Sequence, residues 1–493
     1  MLNRFLRLEN PFWLAPITAL AVASHLFRIG FNSLWFDETF SWLVAQRSVS
    51  AILTQRLEPF LPPLYHVLLH FWIGLGQTEV DLRLLSAICG ITTVPIMYFL
   101  GRDLFSPATG WAAALLSALL PFQIYYAQEA RPYALVMLLS VLVLWAFVRA
   151  WKSNTYRAWI GFGLLAGLGL YAHYFLILWL LVFHGFSILA ETRGQRRWRM
   201  LLLSDALAML IAGPQMLSAW VQMRRVTSDF WVAPPSPLQP VKTLDYLIFG
   251  HTTPLSLVPV ALFLVLSILT MTILAAFRMR GETRQWLLLM LALVLIPMFL
   301  VLLFSWFIEP LYLDRSFSLV SPAYLLLLAW GFAHPPQHSP VPLLYAGLAV
   351  VIGISLSNYY LWPDPAKPPF REVSAVLKTH SQQEDVVLHL HDSSYLPLRY
   401  YAPDVESYLL KDDPEAWIPS YAWEWAGRRV SSLDQVPVGN LRLWVIIMPG
   451  RANDRQNKVL AHVESQYKKE AEWAWSSMDP VKLILYSQSD ARP

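Results

Sequence analysis

The chain has 493 residues, of which 56% are hydrophobic and only 14% are charged, and its formal net charge is +4. Soluble domains carry about 25% charged residues, so this composition excludes a soluble class and indicates a polytopic membrane protein. The 22 Trp and 21 Tyr residues are typical of interfacial belts. The single cysteine, Cys89, excludes an intrachain disulfide and a thiolate metal site.

About eleven apolar runs approach or reach the length that crosses a bilayer. We expect transmembrane helices near residues 11–30, 80–100, 108–126, 133–150, 158–173, 175–190, 200–220, 255–277, 286–306, 317–333 and 341–358. The N-terminus resembles a signal peptide, but its apolar run continues past Ala23 to Phe27, so we expect an uncleaved first helix. The stretch 62–76 is apolar but short and predicts an interfacial or re-entrant helix.

Basic residues fall at alternate ends of these helices, and Lys and Arg mark the cytoplasmic side. The groups are Arg4 and Arg7; Arg102; Arg149, Lys152 and Arg157; Arg193, Arg196, Arg197 and Arg199; and Arg278, Arg280 and Arg284. We therefore expect the N-terminus inside, the C-terminus outside, and a location in the plasma membrane of a bacterial cell.

Composition changes near Trp362, because the proline-rich stretch 362–369 cannot continue a helix. We expect a transmembrane domain over 1–362, with a first outer loop at 31–79, and a soluble extracytoplasmic α/β domain over 363–493. In the second domain the pattern predicts helices at 372–380 and 454–474 and strands at 385–391, 441–448 and 481–486.

With this topology, the unusual polar residues collect at the outer ends of the helices. They are Asp37 and Glu38 after the first helix, Glu129, Arg131 and Tyr133 between the third and fourth, His173 between the fifth and sixth, Tyr312, Asp314 and Arg315 before the tenth, and Lys367 and Arg371 at the start of the outer domain. An ionisable pair at a membrane face is a functional-site hypothesis by default. Acids and cations from distant segments thus predict one site at the outer interface.

Each of these residues also has a structural interpretation. The acids are typical of a helix N-cap and first turn, and an arginine at this depth can pair with a nearby acid or reach the headgroups. The remaining alternatives are a packing role for His173, a loop ion pair between Asp314 and Arg315, and zinc-compatible spacings at His66 with His70 and at His389 with His391. Two histidines without further ligands are weak evidence, so we predict no metal site there.

Transfer of a sugar from a polyprenyl phosphate matches this set of groups, because an activated donor at the outer face is lipid-linked. A carboxylate takes the proton of the acceptor hydroxyl, and cations stabilise the charge that grows on the leaving phosphate. Aspartate is ionised at pH 7, and arginine binds phosphate through its bidentate fork. One base suffices for a direct displacement that inverts the anomeric carbon.

At these residues the chain resembles the GT-C membrane glycosyltransferases, in particular the protein O-mannosyltransferase and aminoarabinose lipid A transferase group. The matching segments are SLWFDE at 33–38, PPL at 62–64 with the short helix to 76, RLLS at 83–86, GRDLF at 101–105, QEARPY at 128–133, and Arg315 before SPA at 321–323. The acid pair is the most specific element. Arg315 stands in Asp-Arg-Ser, where the group more often has Arg-Tyr.

The resemblance implies that Asp37 is the general base and that Glu38 orients the acceptor or assists. It implies that the donor is a polyprenyl-phosphate sugar whose phosphate or sugar lies near Arg131 and Arg315. We expect the donor site to include also Glu129, Tyr133, His173, Tyr312 and Lys367. No cofactor is generally required in this group, although a divalent cation at the acid pair stays open. The expected partners are membrane lipids and an acceptor glycolipid, glycan or protein, and no nucleic acid.

Two other functions are compatible with a polytopic chain. A secondary transporter or lipid flippase would keep its ionisable residues near the bilayer midplane, whereas here they cluster at one interface. A non-catalytic assembly or sensor protein would act through its outer domain alone. A conservative change of Asp37 discriminates between these functions and sugar transfer.

Overall fold

The computed structural model describes residues 14–54, 61–190, 195–226, 232–336, 339–361, 367–410, 428–430, 433–436, 442–451 and 454–488. The chain divides into two compact units. The helical unit comprises Met1–Phe27, Glu58–Leu68 and Arg83–Leu361. The mixed unit comprises Arg28–Leu57, Leu69–Leu82 and Trp362–Pro493.

Nineteen helices occur in the described part of the chain. They are α1 Leu14–Leu26, α2 Phe36–Ala45, α3 Val49–Thr54, α4 Leu64–Trp72, α5 Glu79–Leu104, α6 Pro107–Leu119, α7 Pro121–Ala127, α8 Tyr133–Ser153, α9 Tyr156–Ala172, α10 Leu176–Ala190, α11 Gln195–Val226, α12 Gln239–Phe249, α13 Val258–Arg278, α14 Gly281–Phe307, α15 Ser321–Ala333, α16 Val341–Leu361, α17 Phe370–His380, α18 Asp392–Tyr401 and α19 Asp454–Gln466. Short 3-10 helices lie at Leu255–Leu257, Asp314–Val320, Leu433–Gln435 and Pro449–Arg451.

Each apolar run predicted to be a transmembrane helix contains a helix in the part of it that the structure describes. Among the described residues, 7 helices are long and apolar enough to cross a membrane, or 8 if α6 and α7 form one bent span. These two helices meet at 55°, where Pro121 begins the second. The polytopic helical fold is therefore confirmed, while the count of eleven and the inside–outside orientation stay predictions.

Close helix packing in the helical unit depends on small residues. Helix α9 packs against both α8 and α11. A Cβ atom added at Gly163 would lie 2.7 Å from the carbonyl oxygen of Ser204, and one at Gly167 would lie 3.0 Å from Cβ of Ile211. Two glycines four residues apart thus let the α9 and α11 backbones approach, as small residues do in membrane helix pairs.

The mixed unit is built on a six-stranded sheet with the strand order β3-β2-β1-β4-β6-β5. The strands are β1 Val386–His389, β2 Ser407–Leu410, β3 Arg428–Val430, β4 Leu443–Ile447, β5 Tyr467–Trp475 and β6 Val481–Gln488. The strands β3, β2, β1 and β4 are parallel to one another, and β6 is antiparallel to both β4 and β5. The strands β1 and β4 are buried on both faces, as continuous apolar strands require.

Helices cover both faces of this sheet. One core cluster joins Val387, Trp444 and Ile446 of the sheet to Phe370 and Leu377 of α17. The opposite cluster contains Val463 of α19 together with residues from the other face of the strands. The small α/β domain predicted from the sequence is therefore confirmed.

One predicted element is wrong in part. The helix expected over 454–474 ends at Gln466, and Tyr467–Trp475 forms β5, which pairs with β6. The apolar side chains of Ala471, Trp473 and Trp475 alternate with polar ones and pack on the sheet core, and this period of two residues is the pattern of a half-buried strand. The short strands β2 and β3 were not predicted.

Two parts of the predicted first outer loop, within Arg28–Leu57 and Leu69–Leu82, belong to the same compact unit as the C-terminal domain. Helix α2 packs against α18. The backbone N–H of Leu34 donates to the hydroxyl of Tyr401 at 2.7 Å, and Ser33 Oγ donates to Glu372 Oε2 at 3.1 Å. Contacts between segments more than 330 residues apart therefore hold the loop that carries the acids.

Candidate active site

The acid pair lies in the first turn of α2, within the mixed unit. Trp35 is the N-cap residue, and its side chain makes no capping hydrogen bond. Asp37 and Glu38 follow directly as first-turn residues, where the helix dipole favours carboxylates. The acids were interpreted as a possible helix N-cap and first turn. They do lie in the first turn, but the N-cap residue is Trp35.

Burial distinguishes the two acids. Glu38 is fully buried, and its Oε2 accepts a hydrogen bond from Lys367 Nζ at 3.0 Å. The side chain of Lys367 is itself only 6% exposed, and its ammonium lies 5.8 Å from the ring centroid of Trp35. Asp37 is only partly buried. The structure thus brings Asp37, Glu38 and Lys367 together, with Asp37 the more accessible acid.

In the helical unit, Gln128 fixes the end of the first helix. Its Nε2 donates to the carbonyl oxygens of Ser24, His25 and Phe27 at 3.3, 3.0 and 2.9 Å. Its Oε1 accepts from Tyr359 at 2.8 Å. The last carbonyls of a helix have no partner within the helix, so one side chain of the QEARPY segment satisfies the C-terminal end of α1.

The rest of this segment is buried in the turn between α7 and α8. Glu129, Arg131 and Tyr133 are 1%, 4% and 3% exposed. The carbonyl oxygen of Arg131 accepts from Ser86 Oγ at 3.2 Å. The Tyr133 ring meets the edge of the Tyr126 ring, with 4.6 Å between centroids. The turn is therefore a packed part of the helical unit and holds its charged residues in place.

Tyr246 on α12 is influenced electrostatically by three of the predicted donor-binding residues, Glu129, Tyr133 and Arg315. Burial raises the pKa of its hydroxyl, a hydrogen bond with Tyr126 opposes this, and the charges of Glu129 and Arg315 raise and lower it respectively. Its hydroxyl also bonds to His251 Nε2 at 3.2 Å. Burial lowers the pKa of His251, with opposing effects from Asp314 and Arg315. Glu129 and Arg315 therefore act on one hydroxyl group.

Helix α12 also holds the loop that carries Arg315. Gln239 Nε2 donates to both carboxylate oxygens of Asp314 at 3.0 Å, and Thr243 Oγ1 donates to Oδ1 at 2.6 Å. The hydroxyl of Tyr312 lies 3.0 Å from Thr243 Oγ1. The sequence left open a loop ion pair between Asp314 and Arg315. In the structure, the Asp314 carboxylate is bound to side chains at the start of α12.

His173 has the contacts of a turn residue. Its Nδ1 accepts from the backbone N–H of Phe175 at 3.2 Å, and its ring lies against that of Phe175. The residue is only 4% exposed. These contacts agree with the packing interpretation, and its predicted role in donor binding stays a prediction.

The predicted residues therefore form two groups. Asp37, Glu38 and Lys367 lie in the mixed unit, whereas Glu129, Arg131, Tyr133, His173, Tyr312 and Arg315 lie in the helical unit. Among the described residues there is no group of three or more His, Cys, Asp or Glu side chains that could hold a metal. Because Glu38 Oε2 already binds an ammonium group, Glu38 is a poor ligand for a divalent cation.

Sequence reasoning missed several residues of the helical group: Tyr126, Gln239, Thr243, Tyr246 and His251. Tyr125 and Tyr126 lie three and two residues before the QEARPY segment. Polar aromatic residues beside a charged turn are a signal from which sequence analysis could have found them. Gly250, whose φ is +60°, ends α12 immediately before His251. A glycine at this position allows a backbone that other residues rarely adopt, so it also points to a constrained turn.

A family model described as dolichyl-phosphate-mannose-protein mannosyltransferase matches residues 61–217. The fold is similar to that of apo ArnT from Cupriavidus metallidurans, with a TM-score of 0.64 at 12% identity, covering 96% of this chain and 97% of that chain. ArnT bound to undecaprenyl phosphate gives 0.62 at 12% identity, with 98% and 99% covered. An apo oligosaccharyltransferase from Archaeoglobus fulgidus gives 0.51 at 12% identity, with 99% and 75% covered. No curated protein sequence matches significantly.

Proposed function

We propose that this chain, a membrane protein with the GT-C glycosyltransferase fold, transfers a sugar from a polyprenyl-phosphate donor to an acceptor hydroxyl at the extracytoplasmic face. The fold and the family match support a glycosyltransferase in general. The structure of ArnT with undecaprenyl phosphate supports a lipid phosphate as the leaving group of the donor.

The observation that carries the proposal is the unequal burial of the two adjacent acids. Lys367 neutralises the buried Glu38, while Asp37 in the same helical turn stays partly exposed. Asp37 is therefore the carboxylate that an acceptor hydroxyl can reach. Glu38 and Lys367 hold the first turn of α2 in position, so that the base keeps a defined orientation.

In the proposed reaction, Asp37 takes the proton of the acceptor hydroxyl as its oxygen attacks the anomeric carbon. The bond from that carbon to the phosphate oxygen breaks on the opposite side, which inverts the configuration. The leaving polyprenyl phosphate carries the negative charge, and Arg131 and Arg315 stabilise it. Glu129, Tyr133, Tyr246 and the other buried groups around them orient these arginines.

Mass spectrometry of lipid-linked sugars and envelope glycans tests this function in cells that carry the wild-type gene, no gene or Asp37→Asn. We expect a polyprenyl-phosphate sugar to accumulate and one glycoconjugate to disappear without the gene. The Asp37→Asn variant should do the same at normal membrane abundance, because loss of a general base slows transfer by about 10²–10⁴-fold.

Asp103→Asn is the matched control. Asp103 pairs with Arg102 at the C-terminal end of α5 and has no role in the proposal. It should leave the glycan profile unchanged. A wild-type profile in Asp37→Asn cells would exclude Asp37 as the base. An unchanged profile in cells without the gene would exclude the transferase.

A further inference from the structure

The mixed unit contains an open cavity of about 490 Å³, and neither Asp37 nor Glu38 is among its lining residues. It is lined by Gln77, Thr78, Glu79, Arg371, Tyr400 and Tyr401, and we call it the Gln77 pocket. All six residues belong to the mixed unit. The volume falls within the range of about 300–1,000 Å³ that is typical of sites for small ligands.

Aromatic rings form one wall of the Gln77 pocket. The rings of Tyr400 and Tyr401 are perpendicular, with centroids 4.8 Å apart, and Trp42 meets Tyr400 at 90° and 5.0 Å. The Tyr400 hydroxyl donates to the carbonyl oxygen of Gln77, and the Tyr401 hydroxyl donates to Glu79 Oε1 at 2.9 Å. Because both hydroxyls bond to other residues of the lining, the rings are fixed, and their carbon atoms are the surface that a ligand meets.

The other wall offers hydrogen-bonding groups of both kinds. Trp42 Nε1 donates to Gln77 Oε1 at 2.8 Å. An indole N–H can only donate, so this bond identifies the amide oxygen and leaves the two N–H donors of Gln77 Nε2. Arg371 Nε and Nη2 bind Glu79 Oε1 at 2.9 and 2.6 Å. These two bonds and the one from Tyr401 all reach Oε1, and a carboxylate has a second accepting oxygen.

The charges of this wall cancel, because its one cation, Arg371, is paired with its one anion, Glu79. A charged ligand would gain little from a neutral pair, whereas a neutral polyhydroxyl ligand can use donors and acceptors together. The lining comes from a loop, from the first residue of α5 and from helices α17 and α18, so it presents no strand edge to which a peptide backbone could pair. Fixed aromatic carbons beside such polar groups fit the apolar face and the hydroxyls of a sugar ring.

We propose that the Gln77 pocket binds a neutral hexose of the acceptor, so that the acceptor of this enzyme is a glycan or the glycan part of a glycolipid. The inference rests on the proposed function, since it names the acceptor of that reaction. It also gives the C-terminal domain a role in selecting the acceptor, because that domain supplies Arg371, Tyr400 and Tyr401.

Two elements connect the Gln77 pocket to the acid pair. Trp42 lies five residues after Asp37 on α2, which is about 7.5 Å along the helix axis. Arg371 lies four residues after Lys367, the partner of Glu38. A sugar in the pocket would therefore sit on the same two segments that hold the proposed base, as expected for the neighbour of a reacting acceptor residue.

Saturation-transfer NMR on the full-length protein in lipid nanodiscs tests the inference. The probes are methyl β-D-glucopyranoside, methyl α-D-mannopyranoside and the uncharged peptide acetyl-Gly-Thr-Gly-amide, each with excess undecaprenyl phosphate to fill a donor site. The variants are Tyr400→Ala, Gln77→Leu and Tyr400→Phe, and the matched control is Tyr156→Ala, which removes a tyrosine that is 61% exposed in the helical unit. Thermal unfolding verifies that each variant is folded.

We expect at least one glycoside to bind the wild type and to bind Tyr400→Ala and Gln77→Leu about tenfold more weakly, as for central contacts of a binding site. Tyr400→Phe and Tyr156→Ala should keep the wild-type affinity. The inference is overturned if no glycoside binds the wild type, if the pocket variants bind as the wild type does, or if the peptide binds in a Tyr400-dependent manner instead.

The Asp37→Asn variant separates this inference from the proposed function. It should bind the glycoside normally and fail to transfer sugar. If it transfers sugar normally, the assignment of the base fails while the glycoside affinities still decide the pocket.

Discussion

The Lys367–Glu38 pair shows how a single contact distinguishes two neighbouring acids. A carboxylate and an ammonium that are both removed from water cost several kcal/mol each unless they meet. Their separation of 3.0 Å satisfies this condition for Glu38. Asp37, which is partly exposed, has no such demand for a buried cation. The two acids are adjacent in the sequence, and the structure distinguishes them by burial and by this pairing.

Removing the cation should therefore destabilise the mixed unit. Lys367→Met leaves Glu38 buried without its ammonium partner, and breaking a buried pair typically costs about 3–5 kcal/mol. We expect a clear loss of thermal stability in nanodiscs, which the double variant Glu38→Gln/Lys367→Met should partly restore. The matched control is Lys482→Met, since Lys482 and Glu472 form an exposed pair, for which at most about 1 kcal/mol is expected. Equal losses in the single and double variants would show that the pair does not couple the two residues.

Helix α12 is the element on which the helical group of site residues depends. It carries Gln239 and Thr243, which bind Asp314, and Tyr246, which contacts Tyr126 and His251. The same helix contains Asp245, whose Oδ1 is buried and has no hydrogen-bond partner among the described residues. Burial raises the pKa of Asp245 from 3.8 to about 6. Helix α12, which organises this part of the site, thus also carries a buried carboxylate whose ionisation destabilises the folded protein.

The effect of Asp245 on the free energy of unfolding depends on pH. A group whose pKa is higher in the folded state makes the protein less stable as the pH rises through the range between the unfolded and folded pKa values. Over this range the unfolded state releases its proton more readily than the folded state does. The loss for Asp245 begins above pH 3.8 and is complete above pH 6. Asp245→Asn should therefore raise the melting temperature at pH 8 by several degrees and by less at pH 5.

Asp314→Asn is the contrasting change on the same contacts. Asp314 accepts hydrogen bonds from Gln239 and Thr243, so its neutralisation should lower the melting temperature at both pH values. Thermal unfolding of the two variants at pH 5 and pH 8 measures both effects. A gain for Asp245→Asn that is the same at both pH values would contradict the ionisation of a buried carboxylate.

The mixed unit unites the acid-bearing loop with the C-terminal sheet domain. Leu34, Ser33, Trp42 and Gln77 of the loop segments all bond within this unit, and Arg371 binds the carbonyl oxygen of Gly30 at 2.9 Å. The C-terminal domain therefore does more than follow the membrane helices in the chain. It supplies the partners that give the loop its fixed structure.

A chain that ends at Leu361 should lose this structure. Because the partners of α2 and of residues 77–79 are then absent, we expect no sugar transfer and rapid trypsin cleavage after Arg47. Limited proteolysis in nanodiscs, followed by mass spectrometry of the fragments, measures this. The full-length Asp37→Asn variant is the control and should resist cleavage as the wild type does. A truncated chain that resists trypsin at Arg47 would show that the loop folds without the C-terminal domain.

Much of the fold and part of the site follow from local sequence patterns. The apolar runs predict helices such as α8 and α13 because length and hydropathy are properties of one segment. The resemblance carried by SLWFDE and QEARPY is confirmed at the level of the fold. The strand β5 was missed because its nine residues, which include two lysines and two glutamates, follow a helix without a break, and only pairing with β6 decides its conformation.

The sequence alone therefore determined the apolar helices, the strands β1, β4 and β6, and the segments that carry Asp37, Glu129, Arg131 and Arg315. These features depend on hydropathy and on periodicity within a few tens of residues. The tertiary structure decided which acid is buried, which cation neutralises it, and that the charges of Glu129 and Arg315 both act on Tyr246. Each of these depends on contacts between segments far apart in the chain, and no local pattern encodes which distant partner a side chain will meet.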